Sequence, residues 1–193
     1  VPEGHGGVYR PIRTLFYAID YKLWEENPVG YHLQAIIVNA LIALLIYFIV
    51  KKLTRNPLIA FGTAMLFGLH PVHTEAITFA TASMEIMGFI FAFGSFYLYL
   101  TAERKRTWKF FFSLGLTFLA FLTYEMTLVL PFLYLLYHFC FVRNRTQKKS
   151  AVSTWLYFIP LGIYGVIRMG LDIGTRHSNY LTENIFLTWI TML

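Results

Sequence analysis

Residues 33–50 read LQAIIVNALIALLIYFIV, an apolar run of eighteen stopped by Lys51 and Lys52. A bilayer core of about 30 Å takes roughly 20 apolar residues as helix, so this run predicts a membrane span. The pattern then recurs down the chain. Residues 58–69 are apolar for only about 12 residues, or about 18 Å of helix, before His70-Pro71 interrupts them. Longer runs follow at 76–101, 108–124, 126–142 and 154–169, and 184–193 reads as the opening of another. The expected fold is all-α, a polytopic helical membrane protein. Residues 1–32 would be a non-cytoplasmic loop segment, and 33–193 a bundle of about six transmembrane spans, the last truncated. The first 30 residues are polar and punctuated by Gly and Pro, with no secretory signal. An outside segment of that kind needs an upstream helix to deliver it, so the chain reads as a fragment.

Composition leads the same way. Only 13% of the 193 residues are charged and 57% are hydrophobic. That is about half the charge of a soluble domain. A mean hydropathy of +0.56 excludes a disordered chain and argues against an ordinary soluble enzyme. The single Cys excludes an internal disulfide framework and any multi-Cys metal site. Cys140 lies inside an apolar run as a small hydrophobe. The net charge of +6 and pI near 9.4 would suit a nucleic-acid binder. The cations, however, sit between the apolar runs, where topology accounts for them and no nucleic-acid partner is expected.

Eleven of the sixteen Lys and Arg residues fall in three short connections, at 51–55, 104–109 and 143–149. The turns between them, at 70–75 and at Glu125, hold none. The positive-inside rule places the three basic loops in the cytoplasm. Residues 1–32, the 70–75 break, Glu125 and residues 168–183 then face the other side. A single helix over 108–142 would far exceed a bilayer and put two basic loops on opposite faces. The expected arrangement is a helical hairpin that turns at Glu125.

The unusual side chains gather on that outer side. His70-Pro71-Val72-His73-Thr74-Glu75 sets two imidazoles and a carboxylate at a helix break, where Pro71 removes a backbone donor. Three readings stay open there: an interfacial helix end, acid–base or substrate contact by His70, His73 and Glu75, and a metal site. The helical zinc motif with His at i and i+4 is absent, so no metal ligand is assigned. Glu85 lies about 15 Å further along a helix from Glu75, well inside a bilayer, where an ionisable group faces a cavity or a partner. Arg10, Arg13, Lys22, Arg168 and Arg176 resist the positive-inside trend. Guanidinium forks suit phosphate oxygens, so these residues suggest an anion on the outer side, such as a lipid phosphate. Ordinary headgroup contact is the alternative.

Taken together, Tyr9-Arg10-Pro11, the stretch Asn27-Pro28-Val29-Gly30-Tyr31-His32-Leu33, Leu69-His70-Pro71-Val72-His73-Thr74-Glu75-Ala76 and Tyr124-Glu125 resemble the multi-pass O-mannosyltransferases that carry tetratricopeptide repeats, and their bacterial relatives. The resemblance runs along essentially the whole chain. It implies a GT-C-like partial bundle that takes a sugar from a polyprenyl- or dolichyl-phosphate carrier on the non-cytoplasmic side. The membrane would be the plasma membrane of a prokaryote or the endoplasmic reticulum of a eukaryote. The implied partners are membrane lipid, the lipid-linked sugar and other membrane proteins. No cofactor is required, although a divalent metal is compatible. The implied substrate-binding residues are Tyr9, Arg10, His70, His73, Glu75, Glu85 and Glu125, and Arg10, Arg13, Arg168 and Arg176 would meet the lipid phosphate. The family's acceptor base lies in a loop ahead of the Tyr-Arg-Pro stretch, so Asp20 is misplaced for that role and no catalytic residue is assigned. Three positions depart from the pattern: Ser83 and Glu85 stand where relatives carry Arg and Asp, and Tyr124 stands where they carry Lys. A degenerate, non-catalytic subunit of a membrane assembly is the competing expectation. A transporter with Glu85 at a midplane site ranks below both.

Overall fold

A computed structural model describes residues 10–78, 80–102, 108–141 and 154–170, without the side chains of Glu75, Ala76 and residues 80–85. Among these residues the secondary structure is entirely helical. The helices are α1 (Pro11–Trp24), α2 (Pro28–Thr54), α3 (Pro57–Gly68), α4 (Thr74–Thr78), α5 (Ala80–Thr101), α6 (Trp108–Thr123), α7 (Leu130–Phe141) and α8 (Phe158–Gly170). Short 3-10 turns at Pro71–His73 and Glu125–Val129 join α3 to α4 and α6 to α7.

The helix starts are written locally. Pro11, Pro28 and Pro57 each open a helix at a position whose N–H would have had no partner. Asn27 caps α2 by accepting from the Val29 N–H at 3.1 Å, and Asn56 caps α3 by accepting from Leu58 and Ile59. Arg55 ends α2 in the left-handed conformation. The expected break at Glu125 is present: α6 ends at Thr123, Tyr124 is extended, and a 3-10 turn starts at Glu125. The chain then doubles back, bringing the Tyr134 hydroxyl within 3.2 Å of Thr117 on α6.

Helix α5 is the centre of the bundle, packed on α2 along one side and on α6 along the other. Its core holds Ala92, Phe96, Phe110, Phe121, Leu130, Tyr134, Tyr157 and Tyr164, with Ile49 of α2. Within it, Ser95 and Ser113 exchange bonds with each other's carbonyl oxygens, at 2.6 and 2.8 Å. The Tyr134 hydroxyl lies 2.7 Å from Ser95 Oγ, and the Tyr157 hydroxyl donates to Ser113 Oγ at 2.9 Å. Thr117 completes a network that ties α5, α6 and α7 to Tyr157 ahead of α8.

The two ends of the bundle differ. Phe48 near the end of α2 meets Tyr97, Tyr99 near the end of α5 meets Tyr137 of α7, and the Tyr99 hydroxyl lies 3.0 Å from Thr154. Phe110 in the first turn of α6 stacks edge-on with Tyr157. All the helix ends that lead into the basic connections 51–55, 103–109 and 142–153 therefore share one end. At the other end α5 passes the α6–α7 turn so closely that a Cβ on Gly88 would lie 2.7 Å from Tyr124 Cβ. Helix α3 climbs from the basic end only as far as the middle of α2. There the Asn39 side-chain amide donates to the Gly68 carbonyl at 3.4 Å.

By length and composition, α2 is the helix among the described residues that is able to cross a membrane. Among the described residues, the apolar stretches Pro57–Gly68, Ile86–Thr101, Trp108–Thr123, Glu125–Phe141 and Phe158–Met169 run 10–17 residues. The apolar stretch expected at 184–193 lies outside the described residues, as do residues 103–107 and 142–153.

Candidate functional site

Arg10 closes off the start of α1, where its carbonyl accepts from the Thr14 N–H at 3.1 Å and Pro11 fixes the first helical residue. Its Nη2 donates to Glu125 Oε2 at 3.4 Å. Arg168 comes from the last turn of α8, where a cation meets the negative end of the helix dipole. Its Nη1 donates to the other carboxylate oxygen, Oε1, at 2.8 Å and to the Tyr164 hydroxyl at 3.4 Å. One carboxylate thus bridges two guanidinium groups that lie 115 residues to one side of it in sequence and 43 to the other. The three side chains retain 17, 25 and 35% exposure for Arg10, Glu125 and Arg168. The cluster is shielded but open to a ligand.

Tyr124 supplies the wall. The Arg10 guanidinium carbon stands 5.2 Å from its ring centre, within the range of a cation–π contact. Phe89 packs edge-on against the same ring at 5.7 Å. Among the described residues, two guanidinium groups meet one carboxylate at this cluster. Arg groups stay protonated at any physiological pH. Two guanidinium forks brought together from distant parts of the chain can take an anion bidentately.

The histidine break is held differently. His70 caps the 3-10 turn, its Nδ1 accepting from the Val72 N–H at 3.1 Å, and its ring is exposed. His73 packs on Phe67 with ring centres 4.3 Å apart and stands 6.5 Å from the His70 ring. His32 of α2 contributes a further tie, with Nδ1 3.2 Å from the Ile77 carbonyl oxygen, which makes Nδ1 the protonated nitrogen. No group of three His, Cys, Asp or Glu side chains converges on one point among the described residues.

Of the residues singled out from sequence, Arg10, Glu125 and Arg168 are brought into direct contact. Arg13 is turned along its own helix, donating from Nη2 to the Tyr17 hydroxyl at 3.0 Å. His70 and His73 pair with each other and with the end of α3. The backbone of Glu85 lies one turn before Gly88 on α5, and that of Glu75 in α4. The side chains of both, together with Tyr9 and Arg176, lie outside the described residues.

Sequence reading missed Tyr124 and Tyr164 as members of the cluster. The Tyr164–Arg168 pair was legible as an i, i+4 spacing on a helix. It also undervalued Asp20, which is 2% exposed on the inner side of α1 and accepts from the Gln34 side-chain amide of α2 at 3.0 Å. Burial raises its carboxyl above the ordinary carboxylate range, and the Gln34 bond only partly opposes this.

A family model described as dolichyl-phosphate-mannose-protein mannosyltransferase matches residues 10–166. A protein O-mannosyl-transferase of Caenorhabditis elegans, F38B6.6, is 36% identical over 97 residues, covering 48% of this chain and 14% of that protein. Human TMTC3, also a protein O-mannosyl-transferase, is 33% identical over 95 residues, covering 49% of this chain and 10% of its own length. Human TMTC1 is 35% identical over 92 residues, 46% of this chain and 10% of its own. The chain thus spans a small part of the curated relatives it matches. No solved structure matches it. The relatives agree with the resemblance carried by the Tyr-Arg-Pro and His-Pro-Val-His-Thr-Glu stretches, and a family match from Arg10 through most of α8 includes every described residue of the arginine–glutamate cluster except Arg168: the chain belongs to the dolichyl-phosphate-mannose-protein mannosyltransferase family.

Proposed function

We propose that this chain forms part of a multi-pass membrane glycosyltransferase that takes a sugar from a dolichyl- or polyprenyl-phosphate carrier on the non-cytoplasmic side. The observation that carries the reading is the convergence of Arg10 and Arg168 on Glu125 at the end of the bundle opposite the basic connections. Positive-inside placement of those connections sets the cluster toward the outer side of the membrane. The bundle's outward residues support a lipid surrounding, since Leu33, Ile36, Ile37, Leu41 and Leu44 along α2 and Leu58 and Leu66 along α3 are all exposed. In this reading residues 1–32 are a non-cytoplasmic segment whose α1 docks on the bundle of 33–193.

Gly88, which marks the level of the cluster, is thirteen residues from the end of α5. That is about 20 Å of helix, short of the roughly 30 Å of a hydrocarbon core. The cluster is therefore recessed below the outer surface, where a carrier phosphate can be met while its polyprenyl tail stays in lipid. Transfer breaks the bond between the sugar anomeric carbon and a phosphate oxygen, leaving the electron pair on the phosphate. Arg10 and Arg168 would stabilise that developing charge. His70, His73, Glu75 and Glu85 would shape the neighbouring space for the donor head group. Arg13 and Arg176 would make further contacts with lipid phosphate.

The test is transfer from dolichyl-phosphate mannose by the intact protein in nanodiscs, with and without chelator. Arg10→Ala should cut transfer strongly while the protein still folds. Undiminished transfer would remove Arg10 from the site, and no transfer by the unaltered protein with any lipid-phosphate sugar would favour a non-catalytic subunit.

A further inference from the structure

A guanidinium binds a phosphate bidentately only when its fork is turned toward it, and a long, rotamer-rich side chain loses affinity if that turn must be found on binding. We infer that Tyr164 is a positioning residue for the donor phosphate: with Glu125 it pins one nitrogen of Arg168 and leaves the opposite edge of the guanidinium preset for two phosphate oxygens. The inference rests on the proposed function and names a further residue of that same site.

Tyr164 and Arg168 stand one helical turn apart on the same face of α8. The Tyr164 ring is buried in the core of the bundle and meets Phe121 of α6 edge-on, with ring centres 6.3 Å apart. Close packing holds such a ring in one orientation, so its hydroxyl is a fixed point. Arg168 Nη1 donates to that hydroxyl at 3.4 Å and to Glu125 Oε1 at 2.8 Å. Both hydrogens of Nη1 are thereby committed, one to a partner on its own helix and one to the α6–α7 turn. A single bond to Glu125 would let the guanidinium plane swing about it, and the second contact stops that rotation. Among the described residues none accepts from Nε or Nη2 of Arg168. Those two nitrogens form the side-on edge of the guanidinium, a parallel pair of donors that matches two oxygens of a phosphate. The Arg168 side chain keeps 35% exposure, which leaves it within reach of a ligand.

Tyr164→Phe keeps the ring and its packing and removes only the oxygen that Arg168 meets. Binding of dolichyl-phosphate mannose by the intact protein in nanodiscs should weaken by about threefold to tenfold, the worth of one hydrogen bond. Donor KM should rise in step, while the melting temperature hardly moves. In the Arg168→Ala background the same substitution should cost nothing further, because Tyr164 acts through the guanidinium. Arg168→Lys, which keeps the charge and lacks the fork, should recover little of the affinity that Arg168→Ala loses. Undiminished binding by Tyr164→Phe or by Arg168→Ala would overturn the inference. So would an equal loss from Tyr164→Phe with and without Arg168, or full recovery by Arg168→Lys. Failure of the unaltered protein to bind dolichyl-phosphate mannose would instead overturn the proposed function on which the inference rests.

Discussion

Two polar clusters tie distant parts of the bundle together and are built on opposite terms. The hydroxyl network of Ser95, Ser113, Thr117, Tyr134 and Tyr157 lies in the core, neutral, buried and bonded within itself. The Arg10–Glu125–Arg168 cluster is charged and partly exposed. A satisfied neutral network has nothing to offer a ligand and serves to fix how α5, α6 and α7 meet. A partly exposed charged cluster is poorly suited to hold a fold together, since exposed ion pairs contribute little. It is well suited to wait for an anion. The same bundle thus keeps its neutral, buried polar groups apart from its charged, partly exposed ones.

Substitutions on each side put that division to the test. The largest effect is expected from Arg168→Ala, which should lower transfer by about 100-fold, the cost typical of removing one preorganised donor from a developing oxyanion. Its melting temperature should hardly move. A large drop in melting temperature would mean that the cluster is structural after all. Gly88→Ala should act next most strongly. The added methyl would press on Tyr124 Cβ and move the ring that Arg10 leans on. Donor KM should rise by about threefold to tenfold, roughly 1 kcal/mol. Unchanged donor KM would show that the close approach does not position Arg10.

On the other side of the division, Ser95→Ala should cost about 1 kcal/mol of stability. It strips a partner from Tyr134, Thr117 and Ser113, and hydrogen bonds between membrane helices average somewhat less than that each. Denaturation in detergent would read the loss, and donor KM should stay where it was. The smallest effect belongs to Asp20. Its carboxyl titrates higher folded than unfolded, so the folded state binds the proton more tightly. Docking of α1 should therefore weaken as pH rises from the ordinary carboxylate range through the raised value. Asp20→Asn should abolish that slope, at a cost or gain of about a few tenths of a kcal/mol. Hydrogen exchange of the α1 amides across that pH range would measure it, and an identical slope in the variant would refute the assignment.

Much of the architecture was legible because its signals are local. The run at 33–50 can satisfy its backbone only as a helix and lies inside α2, whereas α1 and the start of α2 at Pro28 fall in residues 1–32, which composition marks as a loop segment. The turn at Glu125 followed from arithmetic, since the basic connections on either side could not lie on opposite faces. The Tyr-Arg-Pro and His-Pro-Val-His-Thr-Glu stretches carried the family. Arg10, Glu125 and Arg168 were each picked out by charge, yet nothing in their surroundings marked them as neighbours. Arg13 was grouped with them on the same grounds, and among its contacts is the Tyr17 hydroxyl one turn along α1.

What the chain alone determined is therefore a set of apolar helices and the sign of charge on each connection. Those depend on contacts a few residues long. The tertiary structure decided that α5 passes within a methyl group's width of Tyr124, that α1 and α8 aim their terminal arginines at one carboxylate, and that Asp20 is buried. These are outcomes of side-chain packing between segments up to 115 residues apart. Charge and hydropathy restrict such packing without selecting it, because many helix pairings bury the same apolar surface and only shape distinguishes them.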